Sequence, residues 1–117
     1  MGFKIFHNPR CSKSRKTLEI INEKEISIEI IEYLKAPPSG NTLRRIIDLL
    51  GVKPRDIMRT GESIYKEKDL SNDTLSDDEL IDHMIENPIL IERPIVFDDQ
   101  SAVIGRPPEN VLKIISS

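Results

Sequence analysis

Apolar and polar residues follow two different periods along the chain, and these periods predict its secondary structure. A short apolar strand from Lys4 to His7 runs into the turn signal Asn8-Pro9, and a helix is expected to begin near Cys11. Residues 27–34, with the sequence SIEIIEYL, alternate between β-branched and acidic side chains and indicate a second strand. A strand, a crossover helix and a second strand form a βαβ unit, which is normally parallel and right-handed.

The middle of the chain has mainly helical periodicity. Apolar residues spaced by three and four positions predict a helix over residues 43–50, and Gly51 is placed to end it. The sequence SDDE at residues 76–79 is a capping box, so a second clear helix should begin there and run to about Glu86. Between these helices the pattern is weaker and indicates only short helices, from Pro54 to Arg59 and from Glu62 to Asp69.

The last quarter of the chain returns to strand signals. Residues 94–97 and 101–104 are apolar runs on either side of the turn sequence DDQ, which predicts a hairpin. Pro107-Pro108 then suits the first turn of a closing helix. The order β-α-β, several helices and β-β-α predicts an α/β fold with a mixed sheet. We expect a single domain over residues 1–117 with a helical insertion over about residues 39–88.

Composition narrows the class of protein. The chain has 117 residues, 38% hydrophobic and 32% charged, which is typical of a soluble globular protein. No apolar run approaches the roughly 18 residues of a membrane span, and no cleavable apolar leader begins the chain, so we expect a cytoplasmic protein without membrane contact. With one cysteine and two histidines, no internal disulfide and no metal site is expected. The net charge of −3 argues against direct nucleic-acid binding.

Charge is unevenly distributed around the single cysteine. No acidic residue precedes Glu19, whereas five cations do. These cations are Lys4, Arg10, Lys13, Arg15 and Lys16. A locally basic segment in an acidic protein favours a small anion as ligand over a polyanion.

Cys11 is placed where a thiolate can be stabilised. It stands at a predicted helix start, where free backbone N–H groups and the helix dipole favour negative charge. Lowering the pKa of a thiol from about 8.5 to about 6 requires roughly 3.4 kcal/mol, whereas a helix terminus supplies only about 0.3 to 1 kcal/mol. Cationic neighbours must supply the rest, and His7 and Arg15 are the local candidates. The Ser14 hydroxyl and Arg15 are also expected to help bind an oxyanion at this helix start.

Spacing excludes two familiar uses of such a cysteine. A thioredoxin-type redox site needs a second cysteine three positions later, where Ser14 stands. A tyrosine-phosphatase loop needs an arginine six positions later, where Thr17 stands. The remaining interpretation is a single nucleophilic thiol that attacks a small molecule and is regenerated by an outside thiol.

A family resemblance extends this interpretation. The segment HNPRCSKSRKTL, then YLKAPP at residues 33–38, Arg59, NPILIERPIV at residues 87–96, and Arg106-Pro107 strongly resemble the glutaredoxin-linked arsenate reductase family. The chain is similar to a shorter branch of that family, without the C-terminal tail of well-known members. The resemblance implies a thioredoxin-like fold with a helical insertion, in agreement with the predicted order of elements.

The resemblance also implies a role for each site residue. Cys11 matches the nucleophile that forms a covalent adduct with arsenate, and His7 matches a residue that helps keep that thiol ionised. Arg59, Arg93 and Arg106 match the arginines that hold the oxyanion, and Pro94 matches a cis-proline. No bound cofactor is implied. Glutathione would act as co-substrate and glutaredoxin as the partner that resolves the mixed disulfide.

Two other functions stay open from the sequence. One is a redox-linked regulatory protein that binds a partner such as RNA polymerase; that related branch usually carries Cys-x-x-Cys, and here Ser14 replaces the second cysteine. The other is a glutaredoxin-like monothiol oxidoreductase, which would need Cys11 and a cis Pro94 but not three arginines. The three matching arginines favour the reductase.

Overall fold

The structure is a computed structural model that describes residues 2–115, and the contacts within it divide the chain into two compact units. The first unit contains residues 2–36 and 93–115, and the second contains residues 37–92. The predicted insertion over about residues 39–88 falls within the second unit. That the whole chain forms one domain stays a prediction.

The first unit is built on a four-stranded sheet. Its strands are β1 (Phe3–Phe6), β2 (Ile28–Ile31), β3 (Ile95–Phe97) and β4 (Ala102–Ile104), in the spatial order β2-β1-β3-β4. Strands β1 and β2 are parallel, whereas β3 is antiparallel to both β1 and β4. The βαβ unit, the hairpin and the mixed sheet predicted from the sequence are therefore confirmed, with every strand end within three residues of its expected position.

Helix α1 (Ser12–Glu23) crosses from β1 to β2 and supplies part of the core of this unit. Ile21 is fully buried against Ile5 of β1 and Val96 of β3, and Leu18 packs at the edge of the same cluster. Burial of such aliphatic side chains contributes about 1.5 to 3 kcal/mol each. This packing fixes α1, and with it the residues at its amino-terminal end, against the sheet.

The second unit is helical and has α2 (Gly40–Leu50), α3 (Ser63–Glu67) and α4 (Asp77–Glu86). Gly51 ends α2 in the left-handed conformation, with φ of 69°, and Ser76 begins α4 with both hydrogen bonds of a capping box. The expected helix from Pro54 to Arg59 is wrong. A 3₁₀ turn covers only Pro54–Ile57, because Met58 adopts an extended conformation and pairs with Ile91 in an isolated β-bridge.

The closing helix also differs from the prediction. A 3₁₀ turn at Pro108–Val111 precedes a short α5 (Leu112–Ile115), and Pro107 lies before both. The Arg106–Pro107 peptide bond is cis, as is the Arg93–Pro94 bond. Val111 and Ile115 nevertheless pack in the core as the apolar pattern predicted. Within residues 2–115, no helix has the length and apolar character required to cross a membrane.

Candidate active site

Cys11 lies between strand β1 and helix α1, at the residue that caps the helix. A turn closes over residues 8–11, where the Cys11 N–H donates to the Asn8 carbonyl at 2.9 Å. The Cys11 carbonyl then accepts the first helical hydrogen bond, from the Arg15 N–H at 3.0 Å. The Cys11 side chain makes no capping bond to the helix and is partly exposed. The thiol is therefore accessible at the positive end of the helix dipole.

Arg106 brings a positive charge to the Cys11 sulfur. Its Nη2 donates toward Sγ over 3.7 Å, although the two residues are 95 positions apart in the chain. The guanidinium is oriented by a second bond, in which Nε donates to the Arg93 carbonyl at 2.7 Å. The guanidinium therefore places a positive charge beside the sulfur atom. The N-terminal and C-terminal parts of the first unit thus meet at one cationic site.

His7 and Ser14 form a buried pair beneath the loop that carries Cys11. His7 Nδ1 lies 2.7 Å from Ser14 Oγ, and the Asn8 N–H donates to the same oxygen at 3.0 Å. Ser14 is fully buried and His7 nearly so. These two contacts hold the Ser14 hydroxyl within the loop. Contact of this hydroxyl with an anion stays a prediction.

Burial lowers the pKa of His7 below its ordinary value of 6.5; nearby Glu32 raises this pKa and Arg15 lowers it further, both by smaller amounts. The lowered pKa favours the neutral imidazole. That His7 helps to keep the thiol ionised stays a prediction. In the structure His7 makes the hydrogen bond to Ser14, which holds the end of β1 to the first turn of α1.

The lowered pKa of His7 predicts how stability depends on pH. Because the folded protein binds a proton at His7 less readily than the unfolded chain does, the free energy of unfolding should fall as pH decreases below 6.5. This contribution is fully present above pH 6.5. His7→Asn, which retains a nitrogen or oxygen near Ser14 but does not titrate, should lose less stability over the same range. Urea denaturation of both proteins from pH 7.5 to 5 measures the difference, and parallel curves would contradict the prediction.

Arg15 is exposed on α1, and its Nη1 donates to the Pro9 carbonyl at 2.8 Å, so it braces the loop before Cys11. It also lines a groove of about 420 Å³ together with His7, Leu18, Glu19, Asn22 and Glu23. Two glutamates in that groove make it unsuited to an anion by itself. A role for Arg15 in binding the anion near Cys11 stays a prediction.

Arg59 belongs to the second unit. Its N–H donates to the Leu90 carbonyl at 2.7 Å, and its Nη1 lies 3.3 Å from a carboxylate oxygen of Glu62. The ion pair is partly exposed and of modest strength. Participation of Arg59 in an anion site with Cys11 stays a prediction, as does contact of the Arg93 side chain with an anion.

Gly105 packs beside the site, and no sequence pattern had pointed to it. A β-carbon at this position would lie 2.6 Å from Thr17 Oγ1 of α1 and 2.8 Å from Cγ of Pro94. Its N–H donates to the Pro94 carbonyl at 2.9 Å. Only glycine permits this approach of the segment before Arg106 to the helix that follows Cys11. The local signal was a glycine directly before Arg-Pro, but nothing in the sequence indicated its neighbours.

Gly105→Ala should lower the free energy of unfolding by about 1 to 3 kcal/mol, because the added methyl group overlaps Thr17 and Pro94 and the structure must shift. The matched control is Gly61→Ala, because a β-carbon at Gly61 meets no atom within 4 Å. Guanidinium denaturation of both variants and the wild type measures the effect. Equal stability of the two variants would contradict the packing argument.

The donor set of the site does not suit a metal. In the part of the chain that the structure describes, no group of three or more His, Cys, Asp or Glu side chains could hold a metal ion. The site combines one thiol with the Arg106 guanidinium. A guanidinium donates hydrogen bonds to anions and does not coordinate cations.

Comparisons with known proteins give matches over nearly the whole chain. The model of the ArsC family matches residues 6–114. The chain is 46% identical to the arsenate reductase of Haemophilus influenzae, over 98% of this chain and 100% of that protein. It is 48% identical to the uncharacterized protein YfgD of Escherichia coli strain K12, over 96% and 95% of the two chains.

The fold is also similar to that of a solved structure. The arsenate reductase from Vibrio cholerae superposes with a TM-score of 0.94 and 46% identity, over 98% of both chains. This agreement confirms the predicted thioredoxin-like α/β fold. Because the family model covers nearly the whole chain and close relatives match it from end to end, this protein belongs to the ArsC family.

Proposed function

We propose that this protein reduces arsenate to arsenite through a covalent adduct on Cys11. The observation that supports this function best is the Arg106 guanidinium, held 3.7 Å from the Cys11 sulfur at the start of α1. A nucleophilic thiol beside a fixed cation suits attack on a small oxyanion. The relatives from Haemophilus influenzae and Neisseria meningitidis are named arsenate reductase.

Arg106 serves two purposes in this proposal. Before substrate binds, its positive charge favours the Cys11 thiolate. When arsenate binds, the planar guanidinium can donate hydrogen bonds to a pair of oxygens of the anion. Arg59, Arg93 and Arg15 would add further donors. The negative charge that develops on the arsenate oxygens during attack is then stabilised by groups already in position.

In the proposed reaction two thiols are oxidised to one disulfide, and the two electrons that they lose reduce arsenic. The Cys11 thiolate attacks arsenic and forms an S–As bond, while one arsenate oxygen is protonated and leaves as water. A glutathione thiolate then attacks the Cys11 sulfur. The S–As electron pair passes to arsenic, which is reduced from As(V) to As(III) and leaves as arsenite. Cys11 and glutathione remain joined as a disulfide.

The chain contains one cysteine, so every further sulfur must come from another molecule. We propose glutathione as co-substrate and glutaredoxin as the partner. A glutaredoxin thiolate would attack the glutathione sulfur of the mixed disulfide, and Cys11 would leave as a thiolate, ready for another cycle. Such chemistry suits the reducing cytoplasm.

Discrimination between arsenate and phosphate would come from reactivity. Both anions have similar shape and charge, so the cationic site can bind either. Only arsenate readily accepts a sulfur nucleophile and two electrons under these conditions. We therefore expect phosphate to be a competitive inhibitor that never forms product.

An assay of purified protein with arsenate, glutathione and glutaredoxin tests the proposed function. Arsenite should accumulate over many turnovers, and omission of glutaredoxin should limit it to about one equivalent. If folded protein with a reduced Cys11 yields no arsenite but cleaves glutathione mixed disulfides, the protein is a monothiol oxidoreductase instead. If it does neither, a regulatory binding protein becomes the better interpretation.

A further inference from the structure

Arg106 follows a tight turn in the backbone, which governs where its guanidinium points. The Arg106 N–H donates to the Ile104 carbonyl at 2.9 Å, a three-residue turn centred on Gly105. Such a turn has a single hydrogen bond of its own, and the Gly105 N–H adds a bond to the Pro94 carbonyl outside the turn. The direction in which the Arg106 side chain leaves the backbone therefore depends on what holds the carbonyl groups on either side of Gly105.

Asn110 holds both of these carbonyl groups. Its side-chain Nδ2 donates to the Arg106 carbonyl at 3.0 Å and to the Ile104 carbonyl at 3.4 Å. An amide nitrogen carries two N–H groups, which match these two acceptors. The Asn110 side chain thus spans the turn and ties residue 106 to residue 104.

The residue that makes this bridge is itself firmly anchored. Asn110 lies in the 3₁₀ turn Pro108–Val111, and its own N–H donates to the Pro107 carbonyl at 2.9 Å. The next residue, Val111, is fully buried in the core beside Ile21 of α1. Through Val111 the turn keeps a fixed position relative to the helix that Cys11 begins.

We propose that Asn110 is a positioning residue that sets the Arg106 guanidinium against the Cys11 sulfur. It acts through the Arg106 backbone, while the Arg93 carbonyl orients the guanidinium itself. Without the Asn110 amide, residues 104–106 can rotate, and the contact of 3.7 Å between Nη2 and Sγ is populated for less of the time. The thiolate then loses part of the stabilisation that Arg106 supplies.

The test is the rate at which iodoacetamide alkylates Cys11, because only the thiolate reacts. At pH 7, Asn110→Ala should slow alkylation about threefold. This effect is smaller than the tenfold or larger slowing expected when the nearby positive charge is removed completely, as in Arg106→Ala. At a pH where every thiol is ionised the two proteins should react at similar rates. Asn41→Ala, at an exposed asparagine of α2, is the matched control and should react like the wild type.

A double-mutant cycle separates positioning from general damage to the fold. If Asn110 acts through Arg106, Asn110→Ala should have no further effect on alkylation once Arg106 is alanine. Asn110→Ser, which keeps one donor, should show a smaller loss and serves if the alanine variant fails to fold. Wild-type reactivity of the Asn110 variants, or an equal slowing in both backgrounds, would overturn the proposal.

The effect of Asn110 on catalysis rests on the proposed function, whereas its effect on the position of Arg106 does not. If the protein reduces arsenate, Asn110→Ala should raise the KM for arsenate more than it lowers kcat, because Arg106 is misplaced before the anion binds. Alkylation requires no arsenate. Failure of the wild type to reduce arsenate therefore refutes the proposed function alone, whereas failure of the alkylation cycle refutes the role of Asn110 alone.

Discussion

Cys11→Ser is expected to abolish arsenate reduction, with a loss of about 10⁴-fold or more, as for removal of the nucleophile in other enzymes. A serine hydroxyl is not ionised near neutral pH, and oxygen cannot form the disulfide that carries away the two electrons. No other cysteine in the chain can replace it. The measurement is arsenite production in the presence of glutathione and glutaredoxin.

Two controls make this result interpretable. Cys11 is partly exposed and makes no capping hydrogen bond through its side chain, so the serine variant should unfold at nearly the wild-type denaturant concentration. Ser12→Ala changes the adjacent exposed residue and should keep most of the activity. Activity of Cys11→Ser above a few per cent of wild type would show that the sulfur is not the nucleophile.

Arg106→Ala is expected to give the next largest loss, about 10²- to 10³-fold in kcat/KM, the range found when one donor to a developing oxyanion is removed. The variant loses both the cation beside the Cys11 sulfur and the hydrogen bond to the Arg93 carbonyl. Arg106→Lys keeps the charge but not the planar pair of donors, so its activity should lie between those of wild type and alanine.

The control for Arg106 is Arg44→Ala. Arg44 is an exposed arginine of α2 that pairs with Asp78 at the protein surface, and its loss should leave kcat/KM within about twofold, as for most exposed ion pairs. The rate of Cys11 alkylation should fall in Arg106→Ala and stay unchanged in Arg44→Ala. Equal activity of the two variants would remove Arg106 from the catalytic site.

Much of the fold could be predicted because local and tertiary preferences agree. Gly51 and the capping box at residues 76–79 are signals that act over a few residues, and the structure uses both as expected. The hairpin at residues 95–104 likewise has an apolar strand on each side of a polar turn. Where the apolar periodicity and the signals for the ends of an element agree, tertiary packing stabilises the same secondary structure that the local sequence favours.

The predicted secondary structure was wrong where tertiary contacts override the local preference of the chain. Pro54 favours a helix start, but pairing of Met58 with Ile91 draws the chain into an extended conformation after one turn. Pro107 also predicts a helix start, yet a 3₁₀ turn over Pro108–Val111 comes first and the helix begins at Leu112. Neither the bridge nor the 3₁₀ turn has a clear signal in the residues nearby.

Only those parts of the site that have local sequence signals could be predicted. Cys11 could be selected because the turn, the helix start and the basic residues all lie within a few positions of it. The hydrogen bond between Ser14 and His7 could not be predicted, because it depends on the packing of α1 on β1. Gly105 and Asn110 were missed because their importance comes only from neighbours brought close by the fold.

Mass spectrometry of the intact protein tests the central claim most directly. Folded protein is incubated with glutathione and arsenate in the absence of glutaredoxin, and the mass of the chain and the amount of arsenite are measured. Cys11 should acquire one glutathione per chain, with one arsenite released, and phosphate in place of arsenate should give neither. If no arsenate-dependent glutathione adduct forms on a Cys11 that still reacts with iodoacetamide, the proposed reduction through this thiol is contradicted.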